Sequence, residues 1–199
     1  SDVDHTLVDD EAEGDPDAVA ALGEDIERHD IVFGLATGRS LALLEGALAD
    51  HALPPPVLVV TDVGTQIHYA RHDGTGEGPR WIRERAWGTH IRTGWDGKAV
   101  AETLARVRGL RPQAEENRTD VKLSYVADDA DAIADRVRAA LREAGHKAQV
   151  IASRGMLLDV LPPRASKALA IRWLARVWGA DEPTEAVVGD TIRLDASES

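Results

Sequence analysis

A strand, a helix and a second strand follow one another between Ile31 and Val60, with only a few residues in each link. Ile31 to Leu35 is a short apolar run ending at the polar Thr37-Gly38-Arg39-Ser40 turn. Ser40 is placed to cap a leucine-rich helix through Leu48, Pro54-Pro55-Pro56 stops it, and Val57 to Val60 resumes as strand. Strands joined by so short a helical crossover pair in parallel, and parallel sheets need helices on their faces. Asp15-Pro16 supplies one such helix, with a cap residue, proline in the first turn and Val19, Leu22 and Ile26 at helical spacing.

The pattern changes after residue 72. Glycine and charge dominate residues 72–79, and two amphipathic helices follow, about 98–108 and 129–144. The second puts Ile133, Val137 and Leu141 on one stripe. Between them residues 121–126 alternate as a strand, with Lys122 and Ser124 on one side and Val121, Leu123 and Tyr125 on the other. The opening pattern then returns: an apolar strand at 156–161 carrying Asp159, a Pro162-Pro163 break, a helix opening at Ser166-Lys167, and a last apolar run, Ala186-Val187-Val188, that delivers Gly189-Asp190. The reading is an α/β protein with a Rossmann-like parallel-sheet core, residues 1–72 and 158–199, and an inserted α/β cap, residues 73–157. Trp81, Trp87 and Trp95 are expected to pack in that cap.

Composition removes several classes of function. A net charge of −12 in 199 residues disfavours nucleic acid and anionic membrane surfaces as partners. No apolar stretch approaches the roughly 18 residues needed to span a bilayer, so a cytoplasmic protein is expected. The chain has no cysteine and therefore no thiolate chemistry. Seven scattered histidines show no pair at metal-ligand spacing.

What remains is a set of short polar motifs, each adjoining an apolar run. Asp2 and Asp4 lie two residues apart, followed by Thr37-Gly38-Arg39, Lys167 and Gly189-Asp190. Two carboxylates at that spacing can act as nucleophile and general acid/base once a cation screens their repulsion. Taken singly, each has a plainer reading: solvated charge for Asp2 and Asp4, a turn former for Thr37, a surface lysine for Lys167. Their order along one chain favours phosphoryl transfer.

The motifs Asp2-Val3-Asp4-His5-Thr6-Leu7, Ala36-Thr37-Gly38-Arg39-Ser40, Thr61-Asp62-Val63-Gly64-Thr65, Lys122-Leu123-Ser124-Tyr125 and Leu158-Asp159-Val160-Leu161-Pro162 leading to Lys167 carry a resemblance over nearly the whole chain. It resembles the haloacid dehalogenase superfamily of phosphatases, and within it the sucrose-phosphate phosphatase-like group. The resemblance implies that Asp2 attacks phosphorus and that Asp4 protonates the leaving sugar oxygen and then activates water. It implies that Thr37 and Gly38 hold the phosphoryl group and that Lys167 neutralises it. Asp2, Asp4 through its carbonyl, and Asp190 would bind Mg²⁺, while Arg39 and Lys122 would contact the sugar phosphate.

The likeness breaks at the end, where Thr191-Ile192-Arg193-Leu194-Asp195 stands in place of Ser-Gly-Asn-Asp and puts leucine at a carboxylate position. No apolar strand precedes Asp2, so the core is expected to be incomplete at both ends. The leading expectation is a Mg²⁺-dependent phosphatase of sucrose 6-phosphate. The alternatives are a phosphatase of another disaccharide phosphate, such as mannosylfructose phosphate, and a catalytically degenerate sugar-phosphate-binding domain of a sucrose-phosphate synthase, fused to or acting with a glycosyltransferase.

Overall fold

The computed structural model describes residues 1–4, 6–8, 16–72 and 79–179. Along them run α1 (Pro16–Arg28), β1 (Gly34–Ala36), α2 (Leu41–Asp50), β2 (Leu58–Thr61), β3 (Gln66–Arg71), β4 (Arg80–Arg83), α3 (Arg85–Arg92), α4 (Gly97–Leu104), β5 (Arg111–Pro112), β6 (Leu123–Val126), α5 (Ala130–Glu143), β7 (Gln149–Ser153), β8 (Leu157–Leu161) and α6 (Lys167–Trp178). The chain divides into two compact units, Ser1–Trp87 with Lys167 onward, and Gly88–Ser166.

In the first unit the sheet order is β1-β2-β3-β4. β1 and β2 are parallel, as their crossover through α2 requires, while β3 and β4 continue as antiparallel hairpins. Ser1 extends this sheet at its other edge: its amino group donates to Gly34 O at 2.8 Å, and Ala36 N–H donates to Ser1 O at 2.8 Å. Val3, Val8, Phe33, Leu35, Leu44, Leu53 and Val59 form the core, with Val19, Leu22 and Ile26 of α1 packed on it. Those three half-buried side chains contribute about 1 kcal/mol each, against about 1.5–3 for full burial.

β1 starts later than the apolar run at Ile31 suggests. Ile31 N–H donates to Ile26 O, and Asp30 takes a left-handed φ of 51°, so Asp30 and Ile31 close the end of α1. Ile31 and Val32 are consequently exposed at 50% and 67%.

The second unit has an antiparallel sheet in the order β5-β6-β8-β7. Asp96 and Asp129 cap α4 and α5 by accepting from Ala99 N–H and Ala132 N–H, at 3.0 and 2.9 Å. One sheet face contributes Tyr125, Leu158 and Val160 to a core with Val100 and Leu104 of α4 and with Ile133, Val137 and Leu141 of α5. The predicted stripe on α5 is thus its buried face.

The cap expected over 73–157 and the unit Gly88–Ser166 have different ends. The first sheet runs on through β4, whose Trp81 packs on the first core, and β8 pairs with β6 and β7 of the second sheet. Trp87 also belongs to the first unit: its Nε1 donates to Gly64 O at 3.0 Å, and its ring lies 5.6 Å from that of Trp173 on α6. Trp81 packs in the first unit on the β3–β4 hairpin, and Trp87 from the first turn of α3, which directly follows β4. Asp190, the strand expected at 186–188 and the tail from 192 lie outside the described residues.

Candidate active site

Three chain segments meet where β1 and β2 end. Asp2 and Asp4 follow Ser1, Thr37-Gly38-Arg39 leaves β1, and Lys167 is the first residue of α6, which packs on β2 and on the turn after it. Lys167 Nζ donates to Asp2 Oδ2 at 2.6 Å, with the two side chains only 15% and 6% exposed. Asp2 Oδ1 accepts from Val3 N–H at 2.8 Å. The N-terminus of a twelve-residue helix adds its own positive potential beside the lysine.

Asp4 has a different partner. Arg39 donates to Asp4 Oδ1 from Nε at 3.0 Å and from Nη2 at 2.7 Å, a forked contact that fixes the carboxylate plane. Thr37 Oγ1 donates to Asp4 Oδ2 at 3.4 Å and accepts from Arg39 N–H at 3.1 Å. Arg39, expected on the sugar phosphate, here holds the Asp4 carboxylate. Each carboxylate is therefore matched by a cation, which permits the two to sit two residues apart.

The loop carrying Thr37 and Arg39 is tied to the turn after β2. Asp62 N–H donates to Arg39 O at 2.8 Å, and Val63 N–H to Thr37 O at 3.2 Å. That turn is wound left-handed over three buried residues, with φ of 51° at Asp62, 59° at Val63 and 91° at Gly64. For a β-branched residue such as Val63 this conformation is an outlier that costs about 1–3 kcal/mol. Gln66 Nε2 donates to Asp62 Oδ2 at 2.8 Å.

Asp2, Asp4, Thr37, Gly38, Arg39 and Lys167 thus come from the first unit, and Lys122 from the second. Lys122 lies there beside a pair that the motif reading left without a role: Ser124 Oγ donates to Asp159 Oδ1 at 2.5 Å. Burial raises the Asp159 carboxyl above the ordinary carboxylate range, against the opposing pull of the Ser124 hydrogen bond and the Lys122 charge. The available signal was an aspartate between Leu158 and Val160, on the strand face opposite to theirs.

Among the described residues no three acidic or histidine side chains converge as a metal site. The oxygen donors of Asp2 and the Asp4 carbonyl suit a hard divalent cation, and Asp190 lies outside the described residues. No helix among the described residues is long and apolar enough to cross a membrane.

The sequence profile of the family described as "Sucrose-6F-phosphate phosphohydrolase" matches residues 1–196. Mannosylfructose-phosphate phosphatase of Agrobacterium fabrum is 33% identical over 204 residues, covering 96% of this chain and 74% of that protein. Sucrose-phosphatase 1 of Nicotiana tabacum is 30% identical over 183 residues, covering 88% of this chain and 40% of that protein. The chain therefore spans three quarters of the first relative and two fifths of the second. Among solved structures, the sucrose-phosphatase of Synechocystis sp. PCC6803 in complex with sucrose and phosphate superposes with a TM-score of 0.73 at 26% identity, over 89% of this chain and 68% of that one. With the motifs and geometry above, these matches show that the chain belongs to the sucrose-6F-phosphate phosphohydrolase family of haloacid dehalogenase-type phosphatases, which are phosphoric monoester hydrolases.

Proposed function

We propose that this chain hydrolyses a sugar phosphate, sucrose 6-phosphate first, through an aspartyl-phosphate on Asp2. The observation that carries the reading is the buried Lys167–Asp2 contact at 2.6 Å, with Asp4 two residues on in the fork of Arg39. In the first step an Asp2 oxygen attacks phosphorus and the bond from phosphorus to the sugar oxygen breaks. Asp4 gives that oxygen its proton. In the second step Asp4 takes a proton from water, the water oxygen attacks phosphorus, and the bond to Asp2 breaks to release phosphate.

Lys167 and the Thr37 hydroxyl offer charge and a hydrogen bond to the phosphoryl oxygens, the interactions that gain most as charge develops. Asp2, the carbonyl of Asp4 and Asp190 would hold Mg²⁺, which when bound neutralises phosphoryl charge. The names of the relatives favour a phosphorylated disaccharide, with mannosylfructose phosphate as the second candidate.

The test is phosphate release from sucrose 6-phosphate with Mg²⁺, comparing the chain with Asp2→Asn. Turnover that requires both Mg²⁺ and Asp2 is the expected result. A second reading, a degenerate binding domain working with a glycosyltransferase, is favoured by Leu194 at a carboxylate position. Tight sugar-phosphate binding without turnover would select it.

A further inference from the structure

The turn after β2 keeps a conformation that its own residues resist. Asp62, Val63 and Gly64 are left-handed in succession, at φ of 51°, 59° and 91°, and only the glycine enters that region without steric cost. Backbone strain of this kind persists where the surroundings over-determine it. Here Thr65 N–H and Thr65 Oγ1 both donate to Asp62 O, at 3.2 and 3.0 Å, and Trp87 Nε1 donates to Gly64 O at 3.0 Å. Gln66 Nε2 holds the Asp62 carboxylate as well. Thr65 and Trp87 are buried, at 0% and 1% exposure, so water does not replace a donor lost from either.

The turn in its place grips the loop bearing Thr37 and Arg39 on both sides of Gly38. Val63 N–H donates to Thr37 O, and Asp62 N–H to Arg39 O. A trans peptide directs its N–H opposite to its C=O, so fixing the Thr37 carbonyl fixes the direction of the Gly38 amide. The Val63 side chain borders the same residue: a Cβ on Gly38 would lie 3.8 Å from Val63 Cγ2. The position least suited to a left-handed φ therefore carries the side chain that packs against this loop, and glycine there would relieve the strain and lose the contact. The turn also packs on α6, which begins at Lys167, and the Trp87 ring lies 5.6 Å from that of Trp173 on the same helix.

We infer that Thr65 and Trp87 are positioning residues for phosphoryl transfer. Through the strained turn they hold the Thr37 hydroxyl, the Gly38 amide and the fork of Arg39 on Asp4 in the geometry that receives the phosphoryl group. They act on the loop and not on the reacting atoms. What the loop receives rests on the phosphatase reading above, while what holds the loop does not. Their effect belongs to the phosphoryl end of the substrate and is independent of the sugar.

The experiment uses the full chain with Mg²⁺ and the variants Thr65→Val, Thr65→Ser and Trp87→Phe. Thr65→Val keeps the shape and deletes the hydroxyl, and Thr65→Ser restores it. Trp87→Phe keeps an aromatic ring beside Trp173 and deletes the donor to Gly64 O. Rates are read well below each thermal midpoint, so that lost stability does not enter them. We expect Thr65→Val and Trp87→Phe each to lower kcat about tenfold, by the same factor on sucrose 6-phosphate and on p-nitrophenyl phosphate, which has no sugar, because small displacements of catalytic groups cost that much or more. Affinity for inorganic phosphate, read by calorimetry, should fall in the same variants, and Thr65→Ser should recover most of both losses. An unchanged kcat in the folded variants, a loss confined to KM or to the sugar ester, or a Thr65→Ser no better than Thr65→Val would overturn the inference. If Trp87→Phe does not fold, the threonine pair decides. If wild type turns over neither ester, the phosphatase reading fails and calorimetry decides alone: weaker phosphate binding in Thr65→Val than in wild type and Thr65→Ser upholds the positioning role, and equal or absent binding refutes it.

Discussion

Lys167→Met keeps most of the side chain's volume and deletes its charge, leaving the 6%-exposed Asp2 carboxylate without the ammonium that lies 2.6 Å away. At that distance and an effective dielectric of about 20, the attraction is roughly 6 kcal/mol. Water reaching the 15%-exposed lysine screens part of it. A coupling of about 3 kcal/mol is therefore expected between the two residues. Breaking one side of a buried pair costs about 3–5 kcal/mol, so Lys167→Met alone should lose about that much at pH 7. Adding Asp2→Asn should restore part of the loss, because no charge is then stranded. The assay is urea unfolding of wild type, both single variants and the double variant, in EDTA so that no divalent ion competes for Asp2. Additivity within about 0.5 kcal/mol would refute the argument that the ion pair, and not the volume of the two side chains, stabilises this corner.

Arg39→Lys retains charge but loses the fork on Asp4, so kcat for sucrose 6-phosphate should fall about tenfold with a smaller change in KM, measured by steady-state phosphate release. His68 is buried on β3, and burial, assisted by the Arg83 charge, lowers its pKa to about 4. A lowered folded value means that stability is fully present above the unfolded value near 6.5 and is lost as pH falls toward 4. The chain should therefore lose about 2 kcal/mol between pH 7 and pH 5, and His68→Gln should flatten that limb of a urea-melt series. Gly64→Ala places a Cβ at a φ of 91° and should cost about 1–2 kcal/mol by the same melts.

Local physics made much of this legible in advance. Ser40 and Asp129 are good caps, and the Ile133-Val137-Leu141 stripe has helical period, so α2 and α5 follow from residues within one element. The start of β1 did not, because the Ile31 amide closes α1 instead of joining the sheet, a competition between two neighbours that apolar character alone does not rank. Trp81 and Trp87 lie in the stretch whose composition suggests the cap, whereas the β3–β4 hairpin carries Trp81, and the start of α3 carries Trp87, into the first unit.

For the site, the motifs named Asp2, Asp4, Thr37 and Lys167, and the fold brings these four to one end of the sheet. The partner of Arg39 was not legible, because the Asp4 contact spans 35 residues and depends on the loop conformation. Ser124 and Asp159 are likewise 35 residues apart and become neighbours only through the β6–β8 register. The left-handed turn was half visible in Gly64, while Asp62 and Val63 are held in that conformation by tertiary hydrogen bonds.

That turn also makes the site observable without altering it. The amide hydrogens of Asp62 and Val63 are held by the carbonyls of Arg39 and Thr37, so they exchange with solvent deuterium only when the loop bearing the threonine and the arginine lets go. Their exchange rates measure the free energy of opening that loop. A phosphate that recruits Thr37 would slow both, giving a readout of ligand capture from two backbone positions that take no part in the reaction.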